Sequence, residues 1–238
     1  MMRLREMWRW GALALALSLV TPALALDERS VSPGINRQYE NPDVDQWLSV
    51  FEREGREVYD RRADILARLG LREGMSVADI GAGTGLFTLP FAQVVGPQGK
   101  VYAVDISVNF VDAIRARARA AGLDQVEGIV NSARSVELPD ASIDLAFISD
   151  TYHHFEFPLS TMTSLFRAMR SGGELVVIDY KRVPGESSPW VLSHLRAGKE
   201  TFIDEIVAVG FVLIEDVDFM QTQYFLRFRK PAEPELSP

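Results

Sequence analysis

The sequence predicts an α/β protein built on a doubly wound sheet of seven strands, mostly parallel, with an antiparallel hairpin at the C-terminal end. Three observations predict it. Short apolar runs alternate with helix-patterned segments from residue 76 to residue 180. The first run, Val77-Ala78-Asp79-Ile80, passes straight into the glycine-rich turn Gly81-Ala82-Gly83-Thr84-Gly85. The last two strand-like runs leave no room between them for a crossover helix, so they pair antiparallel.

Residues 26–43 carry Pro33-Gly34 and Asn41-Pro42 and read as an extended lead-in. From residue 44 to 69 the apolar residues Trp47, Leu48, Phe51, Val58, Ile65, Leu66 and Leu69 recur near helical spacing. Gly70 suits the helix end and Gly74 the turn before strand one, 76–80. A helix follows over about 86–95, with Pro90 near its start, where proline is tolerated. Gly96-Pro97-Gln98-Gly99 is a turn. Strand two is 100–105, and the helix over 108–121 is closed by Gly122. Strands three and four are 125–130 and 143–149. A helix over 158–170 is closed by Gly172-Gly173, ahead of strand five, 174–180. Residues 183–198, rich in Pro, Gly and Ser, read as a lid or substrate loop. A helix over 201–209 ends at Gly210, and strands over 211–219 and 224–229 complete the set. The Pro/Glu-rich tail, 231–238, reads as disordered, so the folded domain spans 44–230.

The turn and its surroundings describe a βαβ unit that holds a nucleoside. Glycines let the backbone pass close under a ligand, since a Cβ there would collide with it. The acid Asp105, at the tip of strand two, accepts hydrogen bonds from ribose hydroxyls. The spacing Gly81-x-Gly83-x-Gly85 is not the dinucleotide fingerprint, because Leu86 stands where that pattern needs glycine. This disfavours a nicotinamide-dependent oxidoreductase.

Asp79-x-Gly81-x-Gly83-x-Gly85, with an acid twenty residues on, resembles motif I of the class I S-adenosylmethionine-dependent methyltransferases. The resemblance covers roughly residues 44–230 and is closest to the ubiquinone/menaquinone-biosynthesis type. Leu138-Pro139 before strand four and Met169-Arg170-Ser171-Gly172-Gly173-Glu174-Leu175 before strand five share in it. It implies a Rossmann-like fold, S-adenosyl-L-methionine as cofactor, and methyl transfer to a small or lipophilic acceptor. It also implies roles. Gly81, Ala82, Gly83 and Gly85 would run under the methionine part and ribose. Asp79 would orient the turn or meet the amino group, Asp105 would hold the ribose, and Ile106 would pack on the adenine. Asn131-Ser132-Ala133 stands where many relatives place an acid that meets the adenine amine; an Asn carbonyl can accept the same hydrogen bond.

The densest polar-aromatic cluster is Asp150-Thr151-Tyr152-His153-His154-Phe155, directly after strand four. By resemblance this loop faces both the cofactor sulfur, where Asp150 also bears on the cofactor, and the acceptor. His153 or His154 could serve as general base, since imidazole titrates near neutrality, with His154 preferred. Tyr152 could align an acceptor. Adjacent side chains diverge on both helix and strand, which makes a two-histidine chelate awkward. No metal site is assigned; a metal reading would add Asp150 and His194, and a structural role for one ring is equally open. Arg56 and Tyr59 could reach over the cofactor. Lys181, Arg182, His194 and Arg196 flank the lid, and Trp190 could line an acceptor pocket.

Residues 1–25 read as a Sec-type signal peptide. Arg3, Arg5 and Arg9 form a positive n-region, and 11–20 is apolar save Ser18. Thr21-Pro22 breaks the run, and Ala23-Leu24-Ala25 fits a cleavage site that would start the mature chain at Leu26. The apolar run is short for a membrane-spanning helix. The chain is therefore expected to be exported, periplasmic or secreted, the alternative being a membrane anchor left uncleaved. Cleavage removes three of 25 basic and one of 33 acidic side chains, leaving 22 and 32 and a formal charge of −10. Such a surplus disfavours nucleic acid and anionic membranes as partners. No cysteine is present, which excludes disulfides, thiolate metal sites and cysteine nucleophiles. The runner-up to the enzyme is an exported module that binds S-adenosylmethionine or a metal without catalysis.

Overall fold

Period-two alternation of apolar side chains divides the core into two layers on either side of one sheet. The computed structural model describes residues 28–232, so the expected signal peptide, and 233–238 of the expected tail, lie outside the described residues. The strands are β1 (Ser76–Ile80), β2 (Lys100–Asp105), β3 (Val126–Val130), β4 (Ile143–Ser149), β5 (Met169–Tyr180), β6 (Val212–Val217) and β7 (Gln223–Arg229). They form a seven-stranded sheet in the order β3-β2-β1-β4-β5-β7-β6. The first five are parallel, and β7 pairs antiparallel with both β5 and β6. The order reverses between β1 and β4, which opens a crevice beyond their carboxyl ends.

One layer takes Ala78 and Ile80 of β1, Ala146 and Ile148 of β4, and Leu175 and Val177 of β5. Against it pack α6 (Pro158–Ala168), through Met162 and Leu165, and α8 (Lys199–Ala208), through Phe202 and Ile206. The intervening residues Val77, Leu145, Phe147, Val176 and Ile178 face the other layer. There they meet Val58 of α2 (Glu57–Asp60), Ile65 of α3 (Arg62–Arg68), and Phe91 and Val95 of α4 (Thr88–Val95). The helix α5 (Val108–Ala120) lies on β2 and β3 and buries Phe110, Val111, Ile114 and Ala118.

The expected fold class stands, with local corrections. The single helix expected over 44–69 is three pieces, α1 (Val44–Phe51), α2 and α3. The chain turns at Gly55, whose φ of 84° is left-handed and whose N–H bonds Asp60. The lead-in is not extended throughout: residues 31–36 form turns, and Arg37–Tyr39 is a short 3-10 helix. The helix expected to run to 170 stops at Ala168, because Met169 already pairs with Ile143 as the start of β5. The expected lid loop contains a short helix, α7 (Pro189–His194), capped by the Ser188 side chain on the Val191 N–H. No described helix is long and apolar enough to cross a membrane.

Phe147 is fully buried, with ring centroids 4.8 Å from Phe87 and 5.4 Å from Phe91. Phe147→Ala is expected to cost about 3–5 kcal/mol, the range for deleting a buried aromatic ring. Urea unfolding followed by circular dichroism measures it; a loss below about 1 kcal/mol would contradict this packing.

Candidate active site

A cleft of about 860 Å³ opens over the carboxyl ends of β1, β2 and β4. Its floor is the glycine turn. Gly81, Gly83 and Gly85 all have positive φ, at 72°, 54° and 85°, a region costly for any side chain. Their hydrogens face different neighbours. A Cβ on Gly81 would overlap the Thr151 side chain, and one on Gly85 would lie 2.9 Å from Ile114. Gly85 does not border the cleft, so its expected place under the ligand is corrected: it lets α5 approach the turn. On Gly83 a Cβ would lie 3.3 Å from the Phe51 ring, at the cleft wall.

Two carboxylates fix this turn from beneath. Asp79 accepts from the Thr88 hydroxyl at 2.6 Å, which ties β1 to the first turn of α4. Asp105 accepts from the backbone N–H of Gly83 at 2.8 Å and of Ser107 at 2.8 Å. Both side chains are buried and both border the cleft. Burial pushes the carboxyl of Asp79 up to about 7 and that of Asp105 up to about 6. Ala82, Ile106, Asn131, Ser132 and Ala133 also border the cleft. The Asn131 amide donates to the Ser132 carbonyl at 2.8 Å, so its side-chain oxygen is the group able to accept from a ligand.

Asp150 follows β4 with a φ of 47°, a strained backbone for a non-glycine residue. Its side chain, 6% exposed, meets the Arg56 guanidinium at 2.7 Å. Burial raises the Asp150 carboxyl despite that partner. Burial opposes the charge on Arg56, and Asp150 and Tyr180 together more than offset it, so the guanidinium is held more firmly protonated. Arg56 thus reaches the cleft, as its position ahead of β1 suggested, while Tyr59 does not border it.

The next three residues form a 3-10 turn, Tyr152–His154, whose side chains separate at about 120° steps. Tyr152 points inward. It is fully buried, its hydroxyl donates to Glu205 at 3.1 Å, and it does not border the cleft. The expected acceptor-aligning role is therefore corrected. His153 and His154 both border the cleft, their ring centroids 4.3 Å apart, so the expected divergence of the pair does not hold in this turn. His153 is buried, and its Nδ1 lies 2.8 Å from an Asp179 carboxylate oxygen. The carboxylate can only accept, so Nδ1 carries a proton and Nε2 is the nitrogen left for another partner. His154 does not titrate near neutrality. Burial first, then the neighbouring His153 and His194, pull it down to about 2. Its expected preference as general base is corrected on that ground.

His194 arrives from α7, its Nε2 3.4 Å from that of His154. Trp190 stacks on the His194 ring at 4.6 Å. Asp150 is engaged by Arg56 and stands outside the histidine cluster. Further cleft residues went unassigned in the sequence: Tyr39, Phe110 and Tyr180 line it, and Trp47 and Phe51 form an aromatic wall with ring centroids 4.8 Å apart. Asp179 was also missed. Its only sequence signal is an acid near the end of a buried strand, the same signal carried by Asp79 and Asp105.

Comparison with known proteins adds three findings. A family described as "Methyltransferase domain" matches residues 71–209. The chain is 29% identical over 118 residues to a demethylmenaquinone methyltransferase of Geobacillus stearothermophilus, covering 50% of each chain. It is 31% identical over 114 residues to a ubiquinone/menaquinone biosynthesis C-methyltransferase of Pasteurella multocida, covering 48% of this chain and 42% of that one. The chain thus spans about half the length of the curated relatives it matches. In fold, it resembles the crystal structure of a SAM dependent methyltransferase from Aquifex aeolicus, with a TM-score of 0.70 and 24% identity over 79% of this chain and 99% of that one.

The buried carboxylates also set a pH dependence. An unfolded aspartate titrates at about 3.9, so between about pH 4 and 7 the native state holds protons that the unfolded chain has released. The contribution of Asp79 is full below pH 4 and is lost as pH rises through about 7. His154 and His194, both held below the ordinary value, act with the opposite sign over that range, so the carboxylate is read by difference. The stability of Asp79→Asn relative to the parent is expected to rise by on the order of 2–4 kcal/mol from pH 4 to pH 8. Thermal unfolding of both proteins across that range measures it, and a pH-independent difference would remove Asp79 from this account.

Proposed function

The chain belongs to the methyltransferase domain family, and on that premise we propose that it moves a methyl group from S-adenosyl-L-methionine to a small lipophilic acceptor held in the cleft. The observation that carries this reading is the charge of the site. Asp79, Asp105 and Asp150 converge on the cleft, and Arg56 is the cation buried with them. Arg56 answers Asp150, which leaves Asp79 and Asp105, and a ligand with a sulfonium and an ammonium group favours the ionised form of both.

The free lone pairs of Asp105 support a nucleoside at this end. Asp105 spends one lone pair of each oxygen on backbone N–H groups and keeps others for two ribose hydroxyls. Ile106 and Phe110 offer apolar faces to a base. The acceptor end is bordered by Tyr39, Trp47, Tyr180 and Trp190, which suits a flat apolar molecule. The curated relatives carry quinone-pathway names, which agrees with such an acceptor. In the reaction the acceptor's electron pair forms a bond to the methyl carbon as the carbon–sulfur bond breaks. The sulfur leaves as a neutral thioether. The protein aligns the two molecules and excludes water. Where the acceptor carries a proton, it is released to solvent at the mouth of the cleft.

We also place the protein outside the cytoplasm, on the strength of residues 1–25. Expression with the full N-terminus is expected to give an exported product whose intact mass begins at Leu26. A product retaining residues 1–25 in the membrane fraction would replace export with anchoring.

Calorimetric titration of the chain lacking residues 1–25 tests the cofactor. S-adenosylmethionine and S-adenosylhomocysteine are expected to bind and NADH is not. Asp105→Ala is expected to weaken S-adenosylhomocysteine by about 1–3 kcal/mol, the cost of leaving buried hydroxyls unpaired. Unchanged affinity would take Asp105 out of the ribose site, and binding without turnover on any quinol would favour a binding module.

A further inference from the structure

We propose that His153, His154 and His194 form a three-imidazole site for a divalent transition metal of the zinc class, with an open coordination position facing the acceptor end of the cleft. One ring nitrogen from each residue lies within 4.8 Å of the others. The His154 and His194 Nε2 atoms are 3.4 Å apart. Two ligands on a tetrahedral centre with bonds of about 2.05 Å stand about 3.3 Å apart, so this pair already has the span of one edge of such a centre.

Each ring is held by something outside the cluster. Asp179 accepts from His153 Nδ1, which leaves Nε2 as the nitrogen for an ion; a carboxylate behind a ligating histidine is the usual second partner of a zinc site. Asp179 is itself fixed, by the backbone N–H of His153 and of Tyr180. Tyr39 meets the His154 ring edge-on at 5.2 Å, and Trp190 stacks on His194. His154 lacks any group that explains its polar atoms. Its Nδ1 is buried with no hydrogen-bond partner among the described residues, and its Nε2 meets only another imidazole. An ion between the rings would give His154 Nε2 a partner suited to its lone pair.

Three imidazole nitrogens with a fourth position open match zinc in its catalytic form rather than a closed structural site. All three histidines border the cleft, so the open position is reached from it. A hydroxyl of the acceptor bound there loses its proton more readily, because the cation stabilises the oxyanion. This catalytic role rests on the methyl-transfer reading; metal binding does not.

Tag-free protein lacking residues 1–25, stripped with a chelator, is titrated with Zn²⁺ by calorimetry and with Co²⁺ by visible absorption. One equivalent of each is expected, with cobalt bands of tetrahedral intensity. His194→Ala is expected to weaken Zn²⁺ at least tenfold, and Asp179→Asn by about 10–100-fold. His194→Gln, which keeps the size and polarity of a half-exposed position, repeats the first test without an emptied site. Absence of stoichiometric binding, or affinity unchanged in both His194 variants, overturns the proposal. S-adenosylhomocysteine titrated into the same preparations separates the two readings. Its loss with zinc binding intact sinks methyl transfer alone, and its retention without zinc binding sinks the metal alone.

Discussion

Carboxylates buried in a row at the carboxyl ends of parallel strands are the constraint around which this structure is arranged. Asp79, Asp105, Asp150 and Asp179 end β1, β2, β4 and β5 in the interior, where an unpaired charge costs several kcal/mol. Each is answered by a different device: a hydroxyl from α4, two backbone amides, a guanidinium from the segment after α1, and an imidazole. Those four answers join the glycine turn, the helix after it, the N-terminal helices and the histidine loop to one edge of the sheet. The fold and the site are therefore held by the same contacts.

The strands were legible because burial on both faces of a parallel sheet demands unbroken apolar runs, and few other structures do. Their helical counterparts were legible where glycine closed them, as at Gly122 and Gly210. The stretch from 44 to 69 misled because apolar spacing continues across Gly55, while the break comes from a left-handed backbone and a hydrogen bond to Asp60. The end of α6 misled because Met169 is claimed by the edge of β4, a partner distant in sequence.

The site divides in the same way. The glycine turn and Asp105 are local to one βαβ unit, so spacing alone brings them together. Tyr39, Arg56, Asp179 and His194 come from four separate segments and meet only through tertiary structure. Tyr152 was misread for a geometric reason. Three consecutive residues in a 3-10 turn cannot all face one cleft, and the apolar ring with a Glu205 partner is the one that turns inward. His153 and His154 nonetheless bring their ring centroids to 4.3 Å, through side-chain rotation rather than through the turn itself.

The segment just beyond the expected cleavage point closes one end of the molecule. Glu28 accepts from the N–H groups of Leu159 and Ser160 at the start of α6, Val31 donates to the Glu156 carbonyl, and Asn36 donates to the His154 carbonyl. These pairs lie 118–132 residues apart in sequence where their separation is recorded. Ribosomal synthesis produces Glu28 long before Ser160 exists. The earliest described stretch to be made is thus a clasp that must wait, unattached, until more than half of the chain has followed. Loop closure over so great a separation carries a large entropic cost, so it belongs late on the folding route. The wall around His154 is accordingly complete only when the two ends of this clasp, far apart in sequence, have met.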